Sequence, residues 1–336
     1  MRRIVSLMAC LALSALLLAC DSDNHIQPSQ SGAVARTPGP EWTLGAKRVP
    51  LNAFPLAITA VRNAIWVTAA PKGKLLHLVE GEVVDSFEVG MSRVGVSVGG
   101  DVAWVTGGGD GAVPDGSALM LDTGSGHVID RLDFPGESPY GVNPSGERTF
   151  IALFQGDLIA LHSRRAGHSR IPLRYGLTHV LASHGAAWVS QPQGGNVWRV
   201  TINASDDTSA SATELHEEVP RSCPQGLDRT REHIWVADAC AGWAWLLDPA
   251  DGKIVDTIEG IGRRPTDVAI AGDLAWIVSS RTNLVSVVDV RSREILAQEK
   301  AGEGASAIAA TRDGAWVVNS EDYSITHFTL QRSTTP

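Results

Sequence analysis

The stretch Ile234-Trp235-Val236-Ala237-Asp238 opens with a phrase that recurs along the chain: a small or aliphatic residue, tryptophan, then valine or isoleucine. Thr149-Phe150-Ile151 falls in the one gap of double length and completes the series. The seven aromatic anchors are spaced by 38, 46, 38, 47, 41 and 40 residues; they are Trp66, Trp104, Phe150, Trp188, Trp235, Trp276 and Trp316. A period of this length is typical of the blades of a β-propeller.

Other positions keep the same register. An aliphatic residue lies eight before every anchor, at Ile58, Val96, Val142, Val180, Leu227, Val268 and Ile308. Short apolar runs separated by turn residues indicate four strands in each repeat. One four-stranded blade cannot bury both of its faces, whereas a ring of blades stacks each sheet between two neighbours. The sequence therefore predicts an all-β, seven-bladed β-propeller with the anchors packed between blades.

The two ends of the repeat region are unequal. The last repeat begins near Ala305 and stops after Leu330, one strand short. An additional strand-like segment, Trp42 to Phe54, precedes the first repeat. We expect this N-terminal strand to complete the last blade, so that the propeller covers residues 41–332.

Several phrases resemble those of a known family. Ile234-Trp235-Val236-Ala237-Asp238, Ser286-Val287-Val288-Asp289 and Pro265-Thr266-Asp267-Val268 are similar to the repeats of YVTN-type β-propellers, the YncE-like group. The resemblance covers about residues 42–332. It implies the fold and says little about function, because one fold hosts many functions.

The N-terminus has the pattern of a targeting segment. Arg2 and Arg3 precede an uncharged apolar run, Ile4 to Ala19, which is short for a membrane span. Leu17-Leu18-Ala19-Cys20 resembles the lipobox of bacterial lipoproteins, which implies cleavage after Ala19 and lipidation of Cys20. We expect residues 1–19 to be a signal peptide and residues 20–40 a flexible tether. Asp21 resembles an inner-membrane retention signal, so the expected location is the periplasmic side of that membrane.

The net charge and the cysteines indicate which kinds of partner and which disulfide are expected. The net charge of −9 does not suit a phosphate backbone, so the sequence predicts no nucleic-acid partner. Cys223 and Cys240 remain after Cys10 and Cys20 are set aside. They flank Trp235 in two loops that a blade would place on one face, and an oxidising compartment favours a disulfide between them. A redox pair is the alternative, but the Cys-x-x-Cys spacing is lacking.

Two repeats are longer than the others. Gly107 to Ser117 is rich in glycine, and its Asp110 and Asp115 lack the spacing of an EF-hand, so a flexible loop is expected. Asn203 to about Arg221 is polar and acidic. It is expected to be an excursion between strands.

The expected binding face consists of the loops that lead into each blade and the loops that follow each second strand. Side chains there depart from the repeat, and a disulfide would hold two of the loops. The candidates are Arg93, Tyr140, His179, Gln225, Arg264 and Thr266 from the first set, with Gln191, Asp238, Trp243, Asn319 and Tyr323 from the second. An unidentified protein or small ligand is the expected partner. The alternative is that these positions have no binding role. His179 would then be a hydrogen-bonded structural residue, Arg263 and Arg264 a solvated pair in a loop, and the variety of the loops the result of neutral drift.

No catalytic or metal-binding motif stands out: His-Glu-x-x-His is missing, and no cofactor clamp is recognisable. The sequence therefore favours a tethered, non-catalytic binding or interaction scaffold without a cofactor. The alternative is an enzyme similar to virginiamycin B (streptogramin) lyases, which are also propellers with tryptophan repeats. That family carries an acidic residue three after the aromatic, and Asp238 is the one acidic residue at this position here. A central cavity with convergent His, Glu or Asp would favour an enzyme.

Overall fold

The computed structural model describes residues 42–70, 73–90, 93–108, 115–146, 148–162, 168–202, 210–215 and 221–332. The signal peptide, Cys20 and the tether lie outside these residues. So does most of the glycine-rich segment after Gly107. In the described part of the chain, no helix is long and apolar enough to cross a membrane.

The described residues form 28 strands in seven four-stranded antiparallel sheets. The N-terminal strand is β1 (Trp42–Pro50). Blade 1 is β2 (Phe54–Val61), β3 (Ala64–Ala70), β4 (Lys74–Val79) and β5 (Glu82–Glu88). Blade 2 is β6 (Arg93–Gly99), β7 (Val102–Gly107), β8 (Gly116–Asp122) and β9 (Val128–Phe134). Blade 3 is β10 (Pro139–Ser145), β11 (Arg148–Leu153), β12 (Asp157–His162) and β13 (His168–Pro172).

The remaining blades repeat this order. Blade 4 is β14 (Val180–Ser183), β15 (Ala186–Gln191), β16 (Asn196–Ile202) and β17 (Ala210–Leu215). Blade 5 is β18 (Pro224–Arg229), β19 (Ile234–Asp238), β20 (Trp243–Leu247) and β21 (Ile254–Ile258). Blade 6 is β22 (Pro265–Ala271), β23 (Leu274–Ser279), β24 (Leu284–Asp289) and β25 (Ile295–Lys300). Blade 7 is β26 (Ala305–Thr311), β27 (Gly314–Asn319) and β28 (Ser324–Arg332), completed by β1.

Ring closure follows the prediction. β1 pairs antiparallel with β28 from Trp42 opposite Arg332 to Pro50 opposite Ser324. The predicted strand was slightly too long, because it ends at Pro50 and Phe54 already begins β2. The two ends of the propeller are thus held together by a continuous ladder of backbone hydrogen bonds.

The anchors form the core between blades, as predicted. Each of the seven is buried and packs against the next blade, and the described apolar core divides into seven such layers. Trp235 of blade 5, for example, packs against Val268 and Ile277 of blade 6. Trp316 of blade 7 packs against Ile65 and Val67 of blade 1, which closes the ring.

One expectation is wrong in part. The polar stretch after Asn203 is not only an excursion, because Ala210–Leu215 forms β17 and pairs with β16. An outer strand lies at the perimeter with most of its side chains toward solvent, so it lacks the apolar alternation that indicates a strand. Residues 203–209 and 216–220 on either side lie outside the described residues.

Candidate functional site

In at least four blades, the loop that leads into the blade and the loop after its second strand are hydrogen-bonded to each other. The carbonyl twelve residues before the anchor accepts from a backbone N–H in the second loop. The pairs are Ser138 with Phe154 (2.9 Å), Cys223 with Ala239 (3.1 Å), Arg264 with Ser280 (2.9 Å) and Gly304 with Ser320 (3.1 Å). Both sets of loops therefore lie on one face of the ring, which we call the cavity face.

The predicted disulfide is confirmed on this face. Cys223 and Cys240 are bonded, with their Cα atoms 5.1 Å apart. Asp238 lies between the two loops and is fully buried. Its Oδ1 accepts from the backbone N–H groups of Cys223 (2.9 Å) and Cys240 (3.1 Å), among others, and its Oδ2 accepts from the Ser222 hydroxyl (2.7 Å). Asp238 thus holds the disulfide loops together.

A cavity of about 450 Å³ opens on the cavity face, among the innermost strands of the blades. Five of the predicted face residues line it: Tyr140, His179, Gln225, Arg264 and Thr266. They come from blades 3 to 6 and converge because the first strands of neighbouring blades lie side by side around the axis. The structure therefore brings these five predicted residues into one concave site.

The other candidates lie elsewhere. Asp238 is buried in the disulfide loops, with its carboxylate oxygens occupied. Gln191 and Asn319 are buried as well and do not line the cavity. Trp243 is half-buried and packs against the core between blades 4 and 5, so it does not form an exposed contact residue on this face. Arg93 begins β6, but its side chain lies outside the described residues.

The cavity wall differs from one half to the other. Of the residues whose side chains the structure describes, those that blades 1 and 2 contribute are apolar: Phe54, Pro55, Leu56, Ala57, Ile58, Val94, Gly95 and Val96. Blades 4 to 7 contribute mainly polar and charged groups, including Thr178, His179, Gln225, Arg264, Thr266 and Asp267. Arg281 and Glu321 lie at the exposed rim. The cavity thus has an apolar side and a polar side.

His179 is a neutral group in this wall. Burial lowers the pKa of its imidazole to about 4, so it carries no charge at neutral pH. Its Nδ1 lies 3.3 Å from the Thr178 hydroxyl, and its backbone N–H donates to Ser190 Oγ (3.1 Å). Burial also raises the pKa of Tyr140, which stays protonated. Both side chains therefore offer uncharged hydrogen-bonding groups.

Two carboxyl groups lie in adjacent innermost strands. Asp228 Oδ2 accepts from the backbone N–H of Ile270 in blade 6 (2.7 Å), and Asp267 Oδ2 accepts from that of Ile308 in blade 7 (3.0 Å). Burial raises the pKa of Asp228 to about 6. Burial, with a contribution from the charge of Asp228, raises that of Asp267 to about 7. Asp267 lines the cavity, so a partly protonated carboxyl is present in its wall.

Arg264 is placed in the wall by an unusual backbone. Its φ is +63°, in the left-handed region that most side chains avoid. The equivalent position, twelve before the anchor, is glycine in blades 4 and 7, at Gly176 (φ +96°) and Gly304 (φ +73°). Arginine here costs backbone energy that glycine would not, and such strain is found preferentially at functional sites.

Aromatic side chains flank the cavity. All three tyrosines of the chain lie on the cavity face. Tyr140 stacks on Phe154 (5.3 Å between ring centroids), which contacts Tyr175 edge-on (4.7 Å). On the other side, Phe54 contacts Tyr323 edge-on at 5.7 Å. Tyr175 and Tyr323 are more than half exposed, which is typical of residues that contact a ligand or partner.

Several site residues were not predicted. The apolar wall of Leu56 and Val94 was missed, although these residues share one repeat position, ten before the anchor, with the predicted Tyr140, Gln225 and Thr266. Reading that position around all seven repeats would have shown the change from apolar to polar. Asp267, Phe154 and Tyr175 were missed as well. Among the residues that the structure describes, no three His, Cys, Asp or Glu side chains lie close enough to hold a metal ion.

Comparison with known proteins identifies the fold. A streptogramin B lyase structure is 15% identical, with a TM-score of 0.71, covering 86% of this chain and 98% of that chain. Virginiamycin B lyase from Staphylococcus aureus is 15% identical (TM-score 0.70, 85% and 99% covered). The computationally designed Ika8 protein is 10% identical (TM-score 0.61, 84% and 100% covered).

At this identity the likeness shows the propeller fold alone, and a designed protein shares it. No family model matches the sequence, and no curated protein matches it either. Membership of the YVTN group stays a prediction.

Proposed function

We propose that this protein is a binding propeller of the bacterial cell envelope, tethered through Cys20, which holds a small organic ligand in its central cavity. The carrying observation is the cavity itself: about 450 Å³, with an apolar wall and converging polar groups. Small-molecule sites commonly have this size and composition. The flanking tyrosines offer further contact area at low conformational cost.

The test is ligand capture by the full chain. Purified protein would be dialysed against the small-molecule fraction of a bacterial extract, and retained compounds identified by mass spectrometry. Val94→Ser in the apolar wall should abolish retention. Val84→Ser, on the exposed outer strand β5, is the matched control and should retain the same compounds. Retention that survives Val94→Ser would contradict the proposal.

The envelope location is tested separately. Cys20→Ala should release soluble protein or block processing of the signal peptide, because lipidation supplies the anchor in this proposal. If the Cys20→Ala protein is processed normally and still pellets with membranes, the tether is elsewhere.

A lyase is the second candidate, favoured by Asp267. A carboxyl group whose pKa is raised to about 7 in a cavity wall can accept or donate a proton near neutral pH. The likeness to virginiamycin B lyase suggests the substrate to try. Incubation with virginiamycin B, followed by chromatography, should give a product that Asp267→Asn does not form. Quantitative recovery of the substrate would exclude this activity.

A further inference from the structure

We infer that the ligand is an amphipathic organic anion, with its apolar body against blades 1 and 2 and its anionic group beside Arg264 and Arg281 of blade 6. This inference rests on the proposed function, because it concerns the ligand of the same cavity. It follows from how charge and apolar surface are distributed around the ring.

The apolar body is indicated by one side of the cavity, where the side chains that the structure describes are all apolar. Phe54, Leu56 and Ile58 of blade 1 and Val94 and Val96 of blade 2 form this side. A fully polar ligand would strip water from these side chains without contacting them favourably, whereas an aromatic or aliphatic body gains from their burial.

The anionic group is indicated by two guanidinium groups from one blade. Arg264 precedes β22, and Arg281 lies in the loop between β23 and β24. The two loops are bonded to each other, because Ser280 N–H donates to the Arg264 carbonyl (2.9 Å) and Arg281 N–H to the Arg263 carbonyl (3.2 Å). A planar guanidinium group matches the geometry of a carboxylate, phosphate or sulfonate group.

Two acidic side chains, Asp267 and Glu321, also line the cavity. Both carboxylate oxygens of Asp267 accept backbone N–H groups, from Val268 (2.9 Å) and Ile308 (3.0 Å), and burial leaves the group partly protonated. Glu321 is exposed to water at the rim, where its charge is screened. Among the described residues that line the cavity, Arg264 is the half-buried cation.

Two dyes with related apolar bodies give the test: 8-anilinonaphthalene-1-sulfonate, which is anionic, and N-phenyl-1-naphthylamine, which is neutral. The protein as a whole carries a net charge of −9, so general attraction would not favour the anion. Fluorescence titration should show one saturable site at which the sulfonate binds on the order of tenfold tighter than the neutral dye. One charge-assisted hydrogen bond accounts for a difference in affinity of this size.

The variants separate the two proposals. Arg264→Gln should reduce sulfonate affinity to that of the neutral dye and leave the neutral dye unchanged. Arg263→Gln, at an exposed neighbour outside the cavity wall, is the control. Equal affinity for both dyes, weakened together by Val94→Ser, would leave the cavity as the site but overturn the anionic ligand. If Val94→Ser weakens neither dye, the cavity is not the site and both proposals fail.

Discussion

Gly226 of blade 5 lies directly against Asp267 of blade 6. A Cβ on Gly226 would be 2.7 Å from the Asp267 Cα and would overlap its Oδ1. A similar relationship holds between Gly141 of blade 3 and His179 of blade 4, where the added Cβ would be 3.0 Å from the His179 Cα. A glycine in one blade thus makes room for a polar cavity residue in the next.

Gly226→Ala should therefore displace Asp267 and weaken its bond to the Ile308 N–H. Overpacking of this kind costs about 1–3 kcal/mol of unfolding free energy. Chemical denaturation would measure it. Gly99→Ala is the control, because a Cβ at Gly99 would meet Pro144 Cγ at an ordinary 3.6 Å and its φ is not in the left-handed region. Equal effects of the two changes would contradict the close packing of Gly226 on Asp267.

Asp228 should make stability depend on pH. Its folded-state pKa is raised to about 6 from an ordinary value of 3.8, so burial favours the neutral form. The contribution of Asp228 to stability is therefore fully present below about pH 4 and is lost as the pH rises through about 6. Asp228→Asn should be more stable than wild type by on the order of 1 kcal/mol at pH 8, with little difference at pH 4.

Asn143 occupies the position in blade 3 that Asp228 occupies in blade 5. Its Oδ1 accepts from the Ala182 N–H in the next blade (3.1 Å), so an amide can replace the carboxyl group at this position. Unfolding free energies from denaturant titrations at both pH values are the measurement. A difference between Asp228→Asn and wild type that is the same at pH 4 and pH 8 would show that the Asp228 charge has no cost.

Removal of β1 should destabilise the whole ring. Deletion of residues 42–50 exposes the edge of β28 and opens the layer between blades 7 and 1, so the unfolding temperature should fall by roughly 10 °C or more. A synthetic peptide of the deleted sequence should restore stability in a saturable manner. Unfolding at the wild-type temperature without the peptide would show that the ladder with β28 does not close the ring.

The fold could be predicted from the sequence because the buried aromatic anchors recur at nearly regular spacings along the chain. Trp235 and Trp276 occupy equivalent places, so their spacing alone predicts the blades. The cavity was accessible only in part. Leu56 and Val94 look like core residues in the sequence, and only ring closure places them in the same cavity as Arg264. Asp238 looked like a face residue, but hydrogen bonds to the disulfide loops bury it.

Arg264→Gly separates stability from binding. Glycine removes a left-handed cost of about 1 kcal/mol and adds a similar entropy to the unfolded chain. These two backbone contributions should nearly cancel, so a loss of unfolding free energy beyond about 1 kcal/mol would come from interactions of the Arg264 side chain. Affinity for 8-anilinonaphthalene-1-sulfonate should fall as in Arg264→Gln. A large loss of stability in Arg264→Gly would mean that Arg264 is kept for packing.

Fluorine NMR of protein labelled with 3-fluorotyrosine reports on the cavity most directly, because all three tyrosines lie on the cavity face. Tyrosine-to-phenylalanine variants assign the three resonances. On titration with 8-anilinonaphthalene-1-sulfonate, the Tyr140 resonance should shift to saturation at the dissociation constant obtained by fluorescence, and Val94→Ser should abolish the shift. Saturable binding of the dye that leaves the Tyr140 resonance unchanged would contradict a ligand site in this cavity.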